Sequence, residues 1–216
     1  MNILLMGPAG SGKGTMSKMI VDQFNIYHIS TGDMLRKAID SNSSISKDIK
    51  DIMDKGLLVS DDIINSIVED NLLKMELPNG FLTDGYPRSL KQALDFDNIL
   101  KKMNTKIDIV LNLVIDYDDL VDRVTGRRLC RNCGMIYHIT NIPSKVDGIC
   151  DKCNHKLIQR SDDTPKQLKI RILEHHKNTD PVLEHYRKFK LVYDIDATGD
   201  TSIVYNRILD VLKDYQ

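Results

Sequence analysis

The sequence predicts a three-layer α/β fold on a parallel central sheet, and three observations lead there. Short continuous apolar runs recur at residues 2–6, 80–85, 107–116 and 190–196, without the polar alternation of a half-exposed strand. Stretches of helical periodicity separate them, which is the strand–helix alternation of a sheet covered on both faces. The first run ends at Gly7-Pro8 in a glycine-rich turn that leads into helical sequence from Lys13.

The helix starts are well marked. Ser60 precedes a helix with acids in its first turn and Ile63, Ile64, Ile67, Val68 and Leu72 on one face. Thr164 to Gln167 combines a capping box with proline at the first helical position. A last helix from Thr201 gathers Ile203, Val204, Ile208, Val211 and Leu212 on one stripe. Two stretches break the alternation. Residues 30–59 are polar, with "DSNSSISKD" as a helix break and Gly56 as a helix end. Residues 126–163 are rich in Gly, Cys, Arg and Asn and have no helical period. The expected organisation is a core of 1–29, 60–125 and 164–216 carrying two small inserts, 30–59 and 126–163.

Composition narrows the function. The 216 residues are 41% hydrophobic, enough for one sizeable core. Thirty basic against 31 acidic residues leave a net charge of -1, so no overall basic field favours nucleic acid or an anionic membrane. No apolar run approaches the roughly 20 residues that cross a bilayer, and "MNILLMGPAG" lacks a signal peptide's charged and apolar regions. A cytoplasmic protein is expected. There, the four cysteines point to metal binding or burial rather than disulfides.

The turn after the first run, "GPAGSGKGT" (7–15), fits the phosphate-binding loop pattern with Gly14 in the final hydroxyl position and Thr15 following. Its glycines let backbone N–H groups face phosphate oxygens, the helix N-terminus adds its dipole, and Lys13 reaches the outer phosphates. Gly10, Ser11, Gly12, Lys13, Gly14 and Thr15 are therefore the triphosphate candidates. Cys130-x-x-Cys133 and Cys150-x-x-Cys153, with sixteen residues between the pairs, match a four-thiolate metal template. Four thiolates close a tetrahedron and leave no open position, so such a site is structural; zinc or iron satisfies the donors. His138 and His155 lie nearby in sequence.

"GPAGSGKGT", "STGDMLR" (30–36), "GFLTDGYPRS" (80–89), "DRVTGRR" (122–128) and "RSDD" (160–163) resemble, in order and spacing, the motifs of adenylate kinases. The four cysteines resemble the family's long-lid, zinc-bearing form. The resemblance spans nearly the whole chain and implies a nucleoside-monophosphate-kinase-like fold, an AMP-binding insert, a mobile lid and the reaction ATP + AMP ⇌ 2 ADP with Mg²⁺. It places Arg36 and Arg88 on the AMP phosphate and brings Arg123, Arg127, Arg160 and Arg171 in from the lid side. Thr31, Leu57, Leu58, Val59, Gly85, Tyr86, Pro87 and Gln92 form its AMP pocket, shared with Arg160 and Arg171. Ile136, Tyr137 and Gly199 contact ATP, Asp84 holds magnesium through water, and zinc is structural. "DATGD" (196–200) departs from the usual Asp-Gly, and Ser60 stands where proline or threonine is common.

The residue types suit that chemistry. Phosphoryl transfer spreads charge over the transferred oxygens, and the planar fork of arginine binds such oxygens in pairs. An amide such as Gln92 donates and accepts together, as reading an adenine edge requires. Two other readings share part of this pattern. A CMP, UMP or GMP kinase shares the loop and the arginines, but Gln92 and the cysteine-bearing lid argue against it. A zinc-ribbon nucleic-acid module would use Arg127, Arg128 and Arg131, yet the chain has no Trp and only four Phe for base stacking. Expected partners are ATP, AMP and ADP, with neither nucleic acid nor membrane, on a monomer. Arg127→Ala is expected to cost rate while leaving the melting temperature unchanged.

Overall fold

The computed structural model describes residues 1–32, 34–35, 51–52, 59–73 and 76–215. Five strands, β1 (Ile3–Met6), β2 (Tyr27–Ser30), β3 (Phe81–Asp84), β4 (Ile109–Val114) and β8 (Val192–Asp196), form a sheet in the order β2-β3-β1-β4-β8. Every neighbouring pair in it is parallel. The helices are α1 (Lys13–Phe24), α2 (Asp61–Leu72), α3 (Leu90–Lys102), α4 (Tyr117–Thr125), α5 (Pro165–Glu174), α6 (Asp180–Arg187) and α7 (Thr201–Leu212).

Pleating explains the layers. Successive side chains of a strand point to opposite faces. Leu4 and Met6 of β1 join Ile29, Phe81 and Val110 beneath α2, α3 and α6, where Val68, Phe96 and Tyr186 are buried. Ile3 and Leu5 face the other way, joining Leu82, Ile109 and Leu111 against Met16 and Ile20 of α1 and Val204, Ile208 and Leu212 of α7. A strand with both faces covered must be apolar throughout, hence the uninterrupted runs of β1, β3 and β4; the run at 190–196 is instead the edge strand β8, in which Ile195 is buried and Tyr193, Asp194 and Asp196 are exposed.

Three readings need adjustment. Strand β2 carried no apolar run; it is an edge strand whose only fully buried side chain is Ile29. On α7 the buried stripe is Val204, Ile208 and Leu212, while Ile203 is 46% exposed. The stretch without helical period holds a separate antiparallel sheet of β5 (Arg127–Cys130), β6 (Ile136–His138) and β7 (Leu157–Ile158), in the order β6-β5-β7. The expected break at "DSNSSISKD", the end at Gly56, and Arg36, Leu57 and Leu58 lie outside the described residues. Among the described residues no helix is long and apolar enough to cross a membrane.

Candidate active site and metal centre

The first strand of the chain lies in the middle of the sheet, with β3 on one side and β4 on the other. The crevice at its carboxyl end, where the chain runs off both ways, is where α/β sheets take ligands. The loop from Gly7 to Thr15 fills it. Gly10 has φ 90, and a Cβ there would lie 2.7 Å from Val124 Cγ2, so only glycine brings the loop this close to α4. Gly12, with φ 97, opens α1. Ser11 Oγ is buried with no hydrogen-bond partner among the described residues, as expected of a cradle built for a ligand.

Lys13 Nζ donates to the carbonyls of Gly7 at 2.7 Å and Pro8 at 2.8 Å. Burial lowers its pKa to about 7; Asp84 opposes this, and the charges of Arg88, Arg171 and Arg127 add to it. Three of the sequence-predicted arginines therefore share one electrostatic neighbourhood with the lysine. His175 stands in the same field, on a π-helical turn (His175–Thr179) between α5 and α6. Burial first, then Lys13, depresses its pKa to about 4, so it is neutral. A polyphosphate would supply the missing negative charge and restore the proton to Lys13. At pH 8, where a group of pKa about 7 is mostly neutral, ATP binding should take up about 0.9 proton. Calorimetric titrations in two buffers of different ionisation enthalpy measure this; buffer-independent heats would contradict it.

Arg88, Arg123, Arg127 and Arg171 each have a specific partner among the described residues. Arg127 forms a two-pronged pair with Asp163, Nε to Oδ2 at 2.9 Å and a terminal nitrogen to Oδ1, and the Asp163 side chain is wholly buried. Arg171 on α5 donates to Asp162 Oδ2 at 2.8 Å. Arg123 at the end of α4 donates to the carbonyls of Ala197 at 3.0 Å and Gly199 at 3.4 Å. Arg88 folds back on its own turn, Nε to the Gly85 carbonyl at 2.6 Å; a Cβ on Gly85, whose φ is 73, would lie 2.7 Å from that guanidinium. The Tyr86–Pro87 peptide of this turn is cis. Arg160 follows β7 in the lid.

Of the residues expected around AMP, Thr31 and Val59 are buried, and the Thr31 hydroxyl reaches the Gly85 carbonyl at 3.3 Å. Gln92, read as a surface position but for its motif, is only 2% exposed. Its Oε1 accepts from the Arg88 N–H at 2.7 Å and its Nε2 donates to Asp61 at 2.7 Å. Asp84 ends β3 beside the loop; a Cβ on Gly14 would be 3.8 Å from its Oδ2, and Thr15 is the next residue along α1.

The lid rests on the loop. Ile136 Cδ1 would lie 3.3 Å from a Cβ on Gly14, and Lys18 Nζ of α1 donates to the Gly134 carbonyl. Tyr137 turns inward: its hydroxyl lies 3.5 Å from Cys150 Sγ and accepts from the Asp151 N–H at 2.8 Å. Contact between this residue and a nucleotide would run through its main chain.

All four cysteine sulfurs lie within 4.8 Å of one another, with Cys130–Cys153 at 3.4 Å and Cys133–Cys150 at 3.5 Å. Tetrahedral zinc with 2.3 Å bonds needs sulfurs about 3.8 Å apart, so the donor set fits. The His155 N–H, then the Asn132 side chain, hold Cys153 down to about 5, whereas burial pushes Cys133 up to about 12. Cys150 is likewise held below the ordinary thiol value, with the Tyr137 hydroxyl donating to it, so the thiols differ in how readily they ionise, and a cation among them would favour the thiolate of each. His138 is bonded elsewhere and His155 engages the Cys153 carbonyl, so neither joins the cluster.

Sequence reading missed the partners that orient the arginines. Asp162 and Asp163 sat inside a recognised motif, and two acids beside an arginine-rich stretch were the available signal. Lys18 and His175 carried none, because their roles arise from α1 meeting the lid and from a π-helical turn.

A phosphate loop at the head of a parallel sheet, ringed by arginines and roofed by a four-cysteine lid, defines a phosphotransferase of the P-loop class. The chain belongs to the adenylate kinase family: the family's model matches residues 5–191. It is 42% identical to the adenylate kinase of Archaeoglobus fulgidus, over 99% of this chain and 98% of that one. It is 44% identical to the adenylate kinases of Thermoanaerobacter sp., over 99% of both chains, and of Lactococcus lactis, over 98% of this chain and all of that one.

Proposed function

We infer that the protein transfers the γ-phosphoryl group of ATP reversibly to AMP, giving two ADP. The observation that carries this is the cluster of Lys13, Arg88, Arg127 and Arg171 in one buried field around an anion-binding loop. The transition state spreads negative charge over the transferred oxygens, so preorganised cations stabilise it more than they stabilise the substrates. Residues 10–15 cradle the ATP phosphates, and Arg123 and Arg127 meet them from the lid side, with Ile136, Tyr137 and Gly199 at the base. Arg36, Arg88, Arg160 and Arg171 grip the AMP side, with Thr31, Leu57, Leu58, Val59, Gly85, Tyr86, Pro87 and Gln92 shaping the pocket. Residues 30–59 are taken as the AMP insert and 126–163 as the lid. Closing the lid excludes the water that would otherwise accept the phosphoryl group. Magnesium, which neutralises charge between the outer phosphates, would be held near Asp84 and Thr15, and zinc by Cys130, Cys133, Cys150 and Cys153. Thiol-rich metal binding and near-neutral charge support a cytoplasmic monomer with no nucleic-acid partner.

A coupled assay of ATP against AMP, CMP, UMP and GMP tests the reading; equal rates with all four acceptors would overturn it. Gln92→Leu removes the amide that bridges Asp61 to the Arg88 turn. It should raise the KM for AMP about tenfold and narrow the preference for AMP, with the KM for ATP within about twofold of the parent. An unchanged acceptor preference would remove Gln92 from the pocket.

A further inference from the structure

We propose that His138 is a positioning residue for the ATP-side arginines, pinning lid strand β6 to the end of α4 between Arg123 and Arg127. The residue is 7% exposed. Backbone N–H groups of Thr140 and Asn141 both reach its Nδ1 at 3.2 Å, and the Thr140 hydroxyl lies 3.0 Å away. An amide N–H can only donate, so Nδ1 presents a lone pair and the ring N–H is at Nε2. That N–H donates to the Asp122 carbonyl at 3.1 Å. The same oxygen accepts the Gly126 N–H at 2.9 Å, the last bond of α4. The Asp122 carboxylate, 3.8 Å off and 69% exposed, is too solvated to add much.

Gly126 is fitted to the ring. A Cβ there would lie 2.1 Å from His138 Nε2 and 2.5 Å from Cε1. Its φ of -81 is open to any residue, so the imidazole, rather than the backbone, requires glycine. The Ile139 N–H adds a bond to the Gly126 carbonyl at 3.0 Å, and Arg127 pairs with His138 across the β5–β6 ladder. The ring thus fixes the main chain at Asp122 and Gly126, each the residue immediately before one of the two arginines. Since an arginine displaced by about 1 Å loses much of its effect on a transition state, this brace sets how well the lid grips ATP. The inference rests on the assignment of Arg123 and Arg127 to the ATP phosphates.

The test is steady-state kinetics for ATP and AMP, well below melting, on His138→Leu, His138→Gln, Gly126→Ala and Arg127→Ala. His138→Leu fills the space without a donor, and Gly126→Ala displaces the ring; each should raise the KM for ATP about tenfold and leave that for AMP within about twofold. His138→Gln, whose amide N–H can reach the same carbonyl, should recover most of the loss. The proposal is overturned if both disruptive variants keep the parental KM for ATP, if ATP and AMP suffer equally, or if Gln does no better than Leu. An Arg127→Ala enzyme with normal ATP kinetics overturns the arginine assignment and the proposal with it. Damage from Arg127→Ala alone overturns only the pin. If the Leu variant does not fold, Gly126→Ala and His138→Gln decide by the same criteria.

Discussion

Lys13→Ala is expected to lower kcat/KM by a factor on the order of 10³, about 4 kcal/mol of transition-state stabilisation, while leaving the protein folded. The lysine donates to the loop carbonyls of Gly7 and Pro8, and burial makes its charge costly. Its folded pKa of about 7 lies below the ordinary 10.5. The stability linked to this group is therefore complete above about pH 10.5 and declines as pH falls to about 7, because the unfolded chain binds the proton more readily. Removing the lysine removes that decline. Melting curves at pH 7 and pH 9.5 should show the variant at or above the parent at pH 7, with the difference shrinking at pH 9.5. Activity within tenfold of the parent would show that Lys13 does not meet the transferred phosphoryl group.

Removing the lid metal should do the opposite, costing stability first. The buried residues of the lid cluster are Cys130, Tyr137 and Cys150, with Cys133, Met135, Cys153 and Leu157 packed around them, too little apolar surface to hold three short strands. Bonds from a metal to the four thiolates would replace that core. Cys130→Ser with Cys133→Ser, or chelation, should lower the melting temperature by on the order of 10 °C while measurable turnover persists in the cold. Loss of turnover at a temperature where circular dichroism shows full folding would make the metal catalytic. Arg127→Ala is a poor control, against the expectation from sequence: it takes the two-pronged partner from the buried Asp163 carboxylate, leaving Arg171 at 3.8 Å, and should itself cost stability. Arg123→Ala is cleaner, since its partners are the carbonyls of Ala197 and Gly199; it should lose rate with the melting temperature nearly unchanged.

The sequence by itself determined the layered sheet, the phosphate loop and the metal donors, because each is a local pattern. A strand covered on both faces must be apolar throughout, a loop that binds phosphate through its N–H groups must be glycine-rich, and a four-thiolate site writes its spacing into the chain. The edge strand β2 escaped because one covered face needs little more than Ile29. Tertiary structure alone decided how the arginines are aimed. Arg127 finds Asp163, Arg123 finds the turn after β8, and His138 reaches back to Asp122 across the lid stem. Gln92, polar and on a helix, is buried because Asp61 and the Arg88 turn satisfy its amide. Such pairings join residues far apart in the chain through hydrogen bonds that carry no periodicity, so they exist only once the sheet, the helices and the lid have been brought together.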